Sequence, residues 1–274
     1  MHSLLLTFVL LLLRALCAAE PDSHDNGRRP DAYGEPHHKR RHPVPQLDLP
    51  ASIKKVILNV GCNMDPPMPP EDDESVAVIG VEPVLKTAAR IPLHPRLFII
   101  TAAIADSPHF ATMNLYNAGG LSSSLAPVAN QGEWWKKYTD VNPQLGLGPR
   151  KNPEFEKARH IYQPTTNLVP VLPLRMLIDS IPERIEITML HTDMQGHDFM
   201  AVRSAGDSIY RIGVLQTEVW LDANTYKGVN NSLEKDWKPY MDRMGFTINE
   251  TRNMGKEADI FWVKDPARVP KAYQ

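Results

Sequence analysis

The chain has 274 residues, of which 42% are hydrophobic and 23% charged, enough apolar material for one sizeable globular domain and too much for global disorder. Its 30 basic and 32 acidic residues leave a formal charge of -2, so no net attraction to nucleic acid is expected.

Residues 3–13 are almost wholly apolar, and Arg14 and then the small residues Cys17, Ala18 and Ala19 follow them. That order predicts a signal peptide over 1–19 and entry into the secretory pathway, either secreted or in the lumen of the ER or Golgi. Arg14 ends the apolar run well short of the roughly 20 residues that cross a bilayer, so no stable membrane span is expected. An uncleaved N-terminal membrane anchor is the alternative. Once the leader is removed, Cys62 is alone and no internal disulfide can form. Asn230-Asn231-Ser232 and Asn249-Glu250-Thr251 are acceptor triplets for N-glycosylation, which in a secreted glycoprotein mark surface positions.

Residues 20–50 are rich in Pro, Asp, His and Arg, with scarcely an aliphatic side chain to offset the entropy of ordering them. They read as a flexible linker, followed by one domain over 51–265 and a tail over 266–274. Apolar runs at 56–60, 76–81 and 97–105 predict buried strands of a parallel sheet, covered on both faces. Leu85, Ala88 and Ala89 predict a short crossover helix that ends before Pro92. An extra strand is expected over 110–116, with a turn at 117–120.

Pro173 opens a helix whose buried face is Leu174, Leu177, Ile178 and Ile181. It leads to a fourth strand over 185–192, and Phe199 and Val202 begin another helical face. A fifth strand is expected over 212–219. Asn231 and Glu234 read as a capping box for a helix packed through Leu233, Trp237, Tyr240, Met241 and Met244, closed by Gly245. Residues 246–249 and 259–263 read as a terminal antiparallel hairpin. The fold expected is therefore α/β, a Rossmann-like sandwich with a mostly parallel sheet.

In such a sheet the ligand lies beyond the carboxyl ends of the strands, and here those ends carry Gly61 and Asn63, Glu82, Asp106, Asp193 and Glu218. A strand that runs into Gly61 lets the backbone approach a ligand, and a carboxylate at the end of the next strand can hold ribose hydroxyls.

The ordered set resembles the FkbM-type methyltransferases, which are S-adenosylmethionine-dependent enzymes of class I methyltransferase fold. The resemblance covers about residues 55–221. Its marks are Asn59-Val60-Gly61-Cys62-Asn63, Val81-Glu82-Pro83 and Ala103-Ile104-Ala105-Asp106, followed by Gly120-Leu121-Ser122-Ser123-Ser124-Leu125 and by Asp193-Met194-Gln195-Gly196-His197-Asp198. It implies S-adenosylmethionine as cofactor and methyl transfer to a hydroxyl oxygen of a small molecule or glycan. Gly61, between Asn59 and Asn63, would line the methionine portion, Glu82 the ribose, and Asp106 or the Ile104 backbone the adenine.

Three positions depart from the family pattern. Asn59 stands where the first strand usually ends in an acid, Gln195 replaces the acid of the fourth-strand motif, and the proline-rich residues 65–70 fall where a helix normally starts. No Gly-x-Gly-x-x-Gly turn for a pyrophosphate follows the first strand, which argues against a nicotinamide dehydrogenase.

Methyl transfer to a hydroxyl needs the acceptor held in line and its proton accepted, and His197 and Asp193 are the catalytic candidates. His191, inside an apolar strand, reads as a core residue. No metal is expected, because His191, Asp193 and His197 match no defined ligand spacing. Residues 130–166 form a long insertion whose Trp134 and Trp135, with Ser123 before it, are candidate contacts to the acceptor. The competing reading is a non-catalytic binding module for a carbohydrate or protein, with Pro66 to Pro70 blocking the donor site.

Overall fold

The computed structural model describes residues 44–115, 123–125, 165–221, 228–229, 231–253, 255 and 257–273. The leader, most of the linker, the expected turn at 117–120 and nearly all of the insertion, with Trp134 and Trp135, lie outside them.

The apolar runs form the strands expected of them. β1 (Lys55–Val60) and β2 (Val76–Val81) pair in parallel from Lys55 opposite Val76 to Val60 opposite Val81. β3 (Leu97–Ile100) lies beside β2, and β8 (Glu186–Thr192) beside β1 on its other side. Parallel β9 (Ile212–Trp220) follows β8. The hairpin of β10 (Phe246–Asn253) and β11 (Glu257–Lys264) completes the sheet, with β11 antiparallel to β9. The strand order is β10-β11-β9-β8-β1-β2-β3, the α/β arrangement the sequence predicts.

The apolar run over 97–105 is not one strand. It breaks after Ile100, where Ala102 N–H turns back to the Ile100 carbonyl at 3.2 Å, and β4 (Ala103–Ala105) joins a second sheet of order β4-β7-β5-β6. Its other members are β5 (His109–Leu115), the two-residue β6 (Ser123–Ser124) and β7 (Thr165–Pro173), which the sequence pattern did not reveal. Pro170 within β7 is tolerated because only β5 pairs there, with β4 joining from Val171 onward.

The helices are short. α1 (Leu85–Ala88) forms where expected, yet it buries no residue and leaves Leu85 63% exposed, so it does not cover the sheet. α2 (Leu174–Ser180) buries Leu174, Leu177 and Ile178 as predicted, with Pro173 at its N-cap rather than inside its first turn. α3 (Asp198–Ser204) buries Phe199 and Val202. A π-helical turn over Leu233–Trp237 runs into α4 (Lys238–Arg243). Its cap is Ser232, whose hydroxyl accepts from the Lys235 N–H, whereas Asn231 accepts from the Trp237 indole at 2.6 Å. Gly245 ends the segment at φ 74°, a conformation that suits glycine.

The main core sits on one face of the large sheet. Val56, Leu58, Val60, Ile79, Leu190, Leu215, Ile260 and Trp262 meet Ile178, Phe199, Val202, Trp237 and Met241 there. Leu49 and Val269 also belong to it, so the packed unit reaches past both ends of residues 51–265. The opposite face is less covered than near-continuous apolar strands suggest. Ile57, Met189, Val214 and Val263 form one cross-strand row, and all four are only half-buried. The physical reason lies between β1 and β2, where residues 61–75 form no helix. Instead the Arg96 guanidinium gathers the carbonyls of Pro70, Asp73 and Val76 at 2.7–2.8 Å.

Candidate active site

At the end of β1 the chain turns sharply. Gly61 and Cys62 N–H both donate to the Val81 carbonyl, at 2.9 and 3.1 Å, which fastens the turn to the end of β2. Gly61 has φ 80°, and a Cβ on it would lie 1.8 Å from the Asp193 main-chain oxygen. The glycine is therefore required first by the neighbouring strand end, independently of any ligand. Cys62 is buried, and burial first, with the Glu82 charge second, pushes its thiol up to about 12. It is a packed, unreactive side chain.

Glu82 directly follows β2 and is only 4% exposed. Its Oε2 accepts from Asn63 N–H at 3.0 Å and its Oε1 from Val84 N–H at 2.8 Å. Burial raises its pKa, and the two backbone donors oppose the rise. The carboxylate is thus held rigidly between two loops, and each oxygen keeps a lone pair for a further donor.

The loop after β8 carries the next group. Gln195 at φ 53° and Gly196 at φ 94° turn it, and Gln195 Nε2 donates to Asp193 Oδ1 at 2.8 Å. Asp198 is fully buried, with Oδ1 accepting from Met194 N–H at 3.1 Å. Asp193 and Glu218 interact side chain to side chain, and Trp220 Nε1 donates to Glu218 Oε2 at 3.2 Å. Burial first raises the proton affinity of Asp193, Asp198 and Glu218, and mutual repulsion raises that of Asp198 and Glu218 further. Burial has the opposite effect on His197, lowering it to about 4 against the pull of Asp106. The imidazole is neutral at pH 7, and its Nδ1 is buried without a partner.

Gly61, Asn63, Glu82, Ile104, Asp193 and His197 line one cleft. The sequence reading missed Met113, Leu125 and Met194, which form part of its apolar wall, and Gln195 as a lining residue. Met113 comes from the second sheet, and its inward place in β5 was the only available signal. The prolines at 66–70 do not line the cleft. Asn59 lies outside the lining, 4% exposed, with its amide hydrogen-bonded to His191 on the facing strand. Asp106 is exposed beside the cleft, and Ser123 pairs with Leu115 in β6. Among the described residues, no group of three or more His, Cys, Asp or Glu is placed to hold a metal. Nor is any helix among them long and apolar enough to cross a membrane.

Six strands of this sheet run one way and β11, inserted beside the edge strand β10, runs the other, a mostly parallel Rossmann-like α/β arrangement. The chain is similar in structure to one in the fibrillarin/Nop5p complex, at 9% identity over 78% of this chain and 74% of that one, with a TM-score of 0.36. It is also similar to magnesium protoporphyrin IX methyltransferase from Synechocystis PCC 6803, solved with bound S-adenosylmethionine. That match has 8% identity, covers 78% of this chain and 72% of that one, and has a TM-score of 0.32. No protein-family model matches the chain, and no curated protein matches it in sequence.

Proposed function

We propose that the chain binds S-adenosylmethionine in the cleft at the ends of β1, β2 and β8 and methylates a hydroxyl oxygen of a small molecule or glycan. The observation that carries this reading is the meeting of Gly61 and Glu82 on one cleft, tied by the bond from Asn63 N–H to Glu82. The residues present suit the group. Gly61 lets the turn after β1 pack against the Asp193 main chain and form the rim of the cleft, Glu82 offers lone pairs to two neighbouring hydroxyls, and Ile104 and Met113 supply an apolar wall.

When bound, S-adenosylmethionine supplies a methyl group on a positively charged sulfur. The protein's part is to hold the acceptor oxygen in line and to take its proton. Burial lowers the proton affinity of His197 and raises that of Asp193, and both residues line the cleft. In this reading the two hold the acceptor hydroxyl and take its proton. Asp106 or the Ile104 backbone would meet the adenine, and Ser123, with Trp134 and Trp135, which fall outside the described residues, would be the contacts to the acceptor.

Ultraviolet cross-linking with methyl-labelled S-adenosylmethionine tests the reading. Label should appear on peptides containing residues 61–63, 82 or 193–197, and unlabelled S-adenosylhomocysteine should compete it away. Label spread over the surface, indifferent to competitor, would refute it.

A further inference from the structure

The acceptor triplet Asn249-Glu250-Thr251 lies in β10, the edge strand of the large sheet. Its inner side pairs with β11, but the register skips one residue: Ile248 faces Trp262 and Glu250 faces Phe261. Asn249 is the extra residue of this bulge, with no cross-strand partner, and it is exposed together with Glu250 and Thr251. The neighbouring side chains are occupied with one another. Arg252 Nε donates to Glu250 at 2.6 Å, and its guanidinium lies 4.5 Å from the centre of the Phe261 ring.

A bulge on an edge strand turns one side chain away from the ladder, and a large substituent there displaces no packed group. The cleft opens at β8, β1 and β2, three strand spacings or roughly 14 Å from β10 at the least, so the substituent leaves it open. Among the described residues no strand pairs with the outer edge of β10, and such an edge is a template for pairing with another chain, which native proteins cover or charge.

We propose that Asn249 is an N-glycosylation site whose glycan covers the free edge of β10. In the transfer, Asn249 Nδ2 bonds to the first sugar carbon of a lipid-linked oligosaccharide. That carbon's bond to the diphosphate breaks, the lipid diphosphate departs, and the amide loses one proton. Thr251 supplies the hydroxyl that the transfer requires two residues on, and Glu250 between them is compatible with it. The main chain on both sides of the bulge pairs with β11, so the transfer precedes closure of the hairpin. The other acceptor, Asn230, lies outside the described residues.

The test is expression of the full chain in a eukaryotic host, followed by enzymatic removal of N-glycans in heavy-oxygen water and peptide mass mapping. Residue 249 should be recovered as aspartate carrying the heavy oxygen. That label should vanish in Thr251→Ala, which keeps the asparagine, and persist in Thr251→Ser. Asn249→Gln should lose one glycan while keeping the parent circular dichroism, and should self-associate more readily. An unmodified Asn249 in the purified parent, for whatever reason of location or timing, overturns the proposal, as does label that survives Thr251→Ala.

Discussion

Gly61 and Asp193 are in main-chain contact across the ends of β1 and β8: a methyl group on residue 61 would sit 1.8 Å from the Asp193 carbonyl oxygen. The turn that shapes the cleft is therefore built from two strand ends that fit only without a side chain. Gly61→Ala should cost at least about 2 kcal/mol, from the left-handed backbone together with the displaced strand end. Gly255→Ala, at φ 99° with nothing within 4 Å of the added carbon, should cost only about 1 kcal/mol. Urea unfolding of both variants checks this, and equal losses would contradict it.

Glu82 has a structural role as well as the proposed ligand role. In Glu82→Gln an amide nitrogen, which cannot accept, faces Asn63 N–H or Val84 N–H. The expected loss is about 1–3 kcal/mol, the cost of a buried donor left unpaired. It should appear as a lower urea midpoint with an unchanged slope, and an unchanged midpoint would show that the two loops do not depend on this carboxylate.

Two adjacent residues should give opposite pH dependence. Asp198 has its pKa raised from 3.8 to about 7, so over that window the native state holds a proton the unfolded chain releases, and stability falls as pH rises. His197 is lowered from 6.5 to about 4, so over that window the unfolded chain holds the extra proton, and stability rises with pH. Asp198 is also influenced by Asp193, and Glu218 shares that cluster, while His197 feels Asp106. Melting curves from pH 4 to 7 should rise more steeply in Asp198→Asn than in the parent and flatten or fall in His197→Asn. Three parallel curves would contradict both assignments.

Cys62 should resist alkylation in the native chain at pH 8, because its thiol is buried and its pKa stands at about 12. Mass mapping should find it unmodified until urea is added. Rapid native labelling would mean that the end of β1 opens to solvent.

Much of this was legible in the sequence. The parallel strands could be read because apolar residues dominate each of them, and Gly61, Glu82 and Asp193 because strand ends collect binding groups in such sheets. The run over 97–105 hid the break after Ile100, since a strand that changes sheets stays apolar throughout. β7 was hidden by Pro170, whose tolerance depends on which neighbour is absent at that point. The packing of Asn59 against His191 depends on strand register, and register is fixed by partners distant in sequence. Met113 enters the cleft from a second sheet, a crossing that no local pattern encodes.

The central claim is that one cleft, floored by Gly61 and held by Glu82, takes an adenosyl ligand. Calorimetric titration with S-adenosylhomocysteine tests it most directly. The account predicts saturable one-site binding to the parent that is lost in Glu82→Ala while the circular dichroism is retained. A folded parent that gives no binding heat, or binding that survives unchanged in Glu82→Ala, would contradict it.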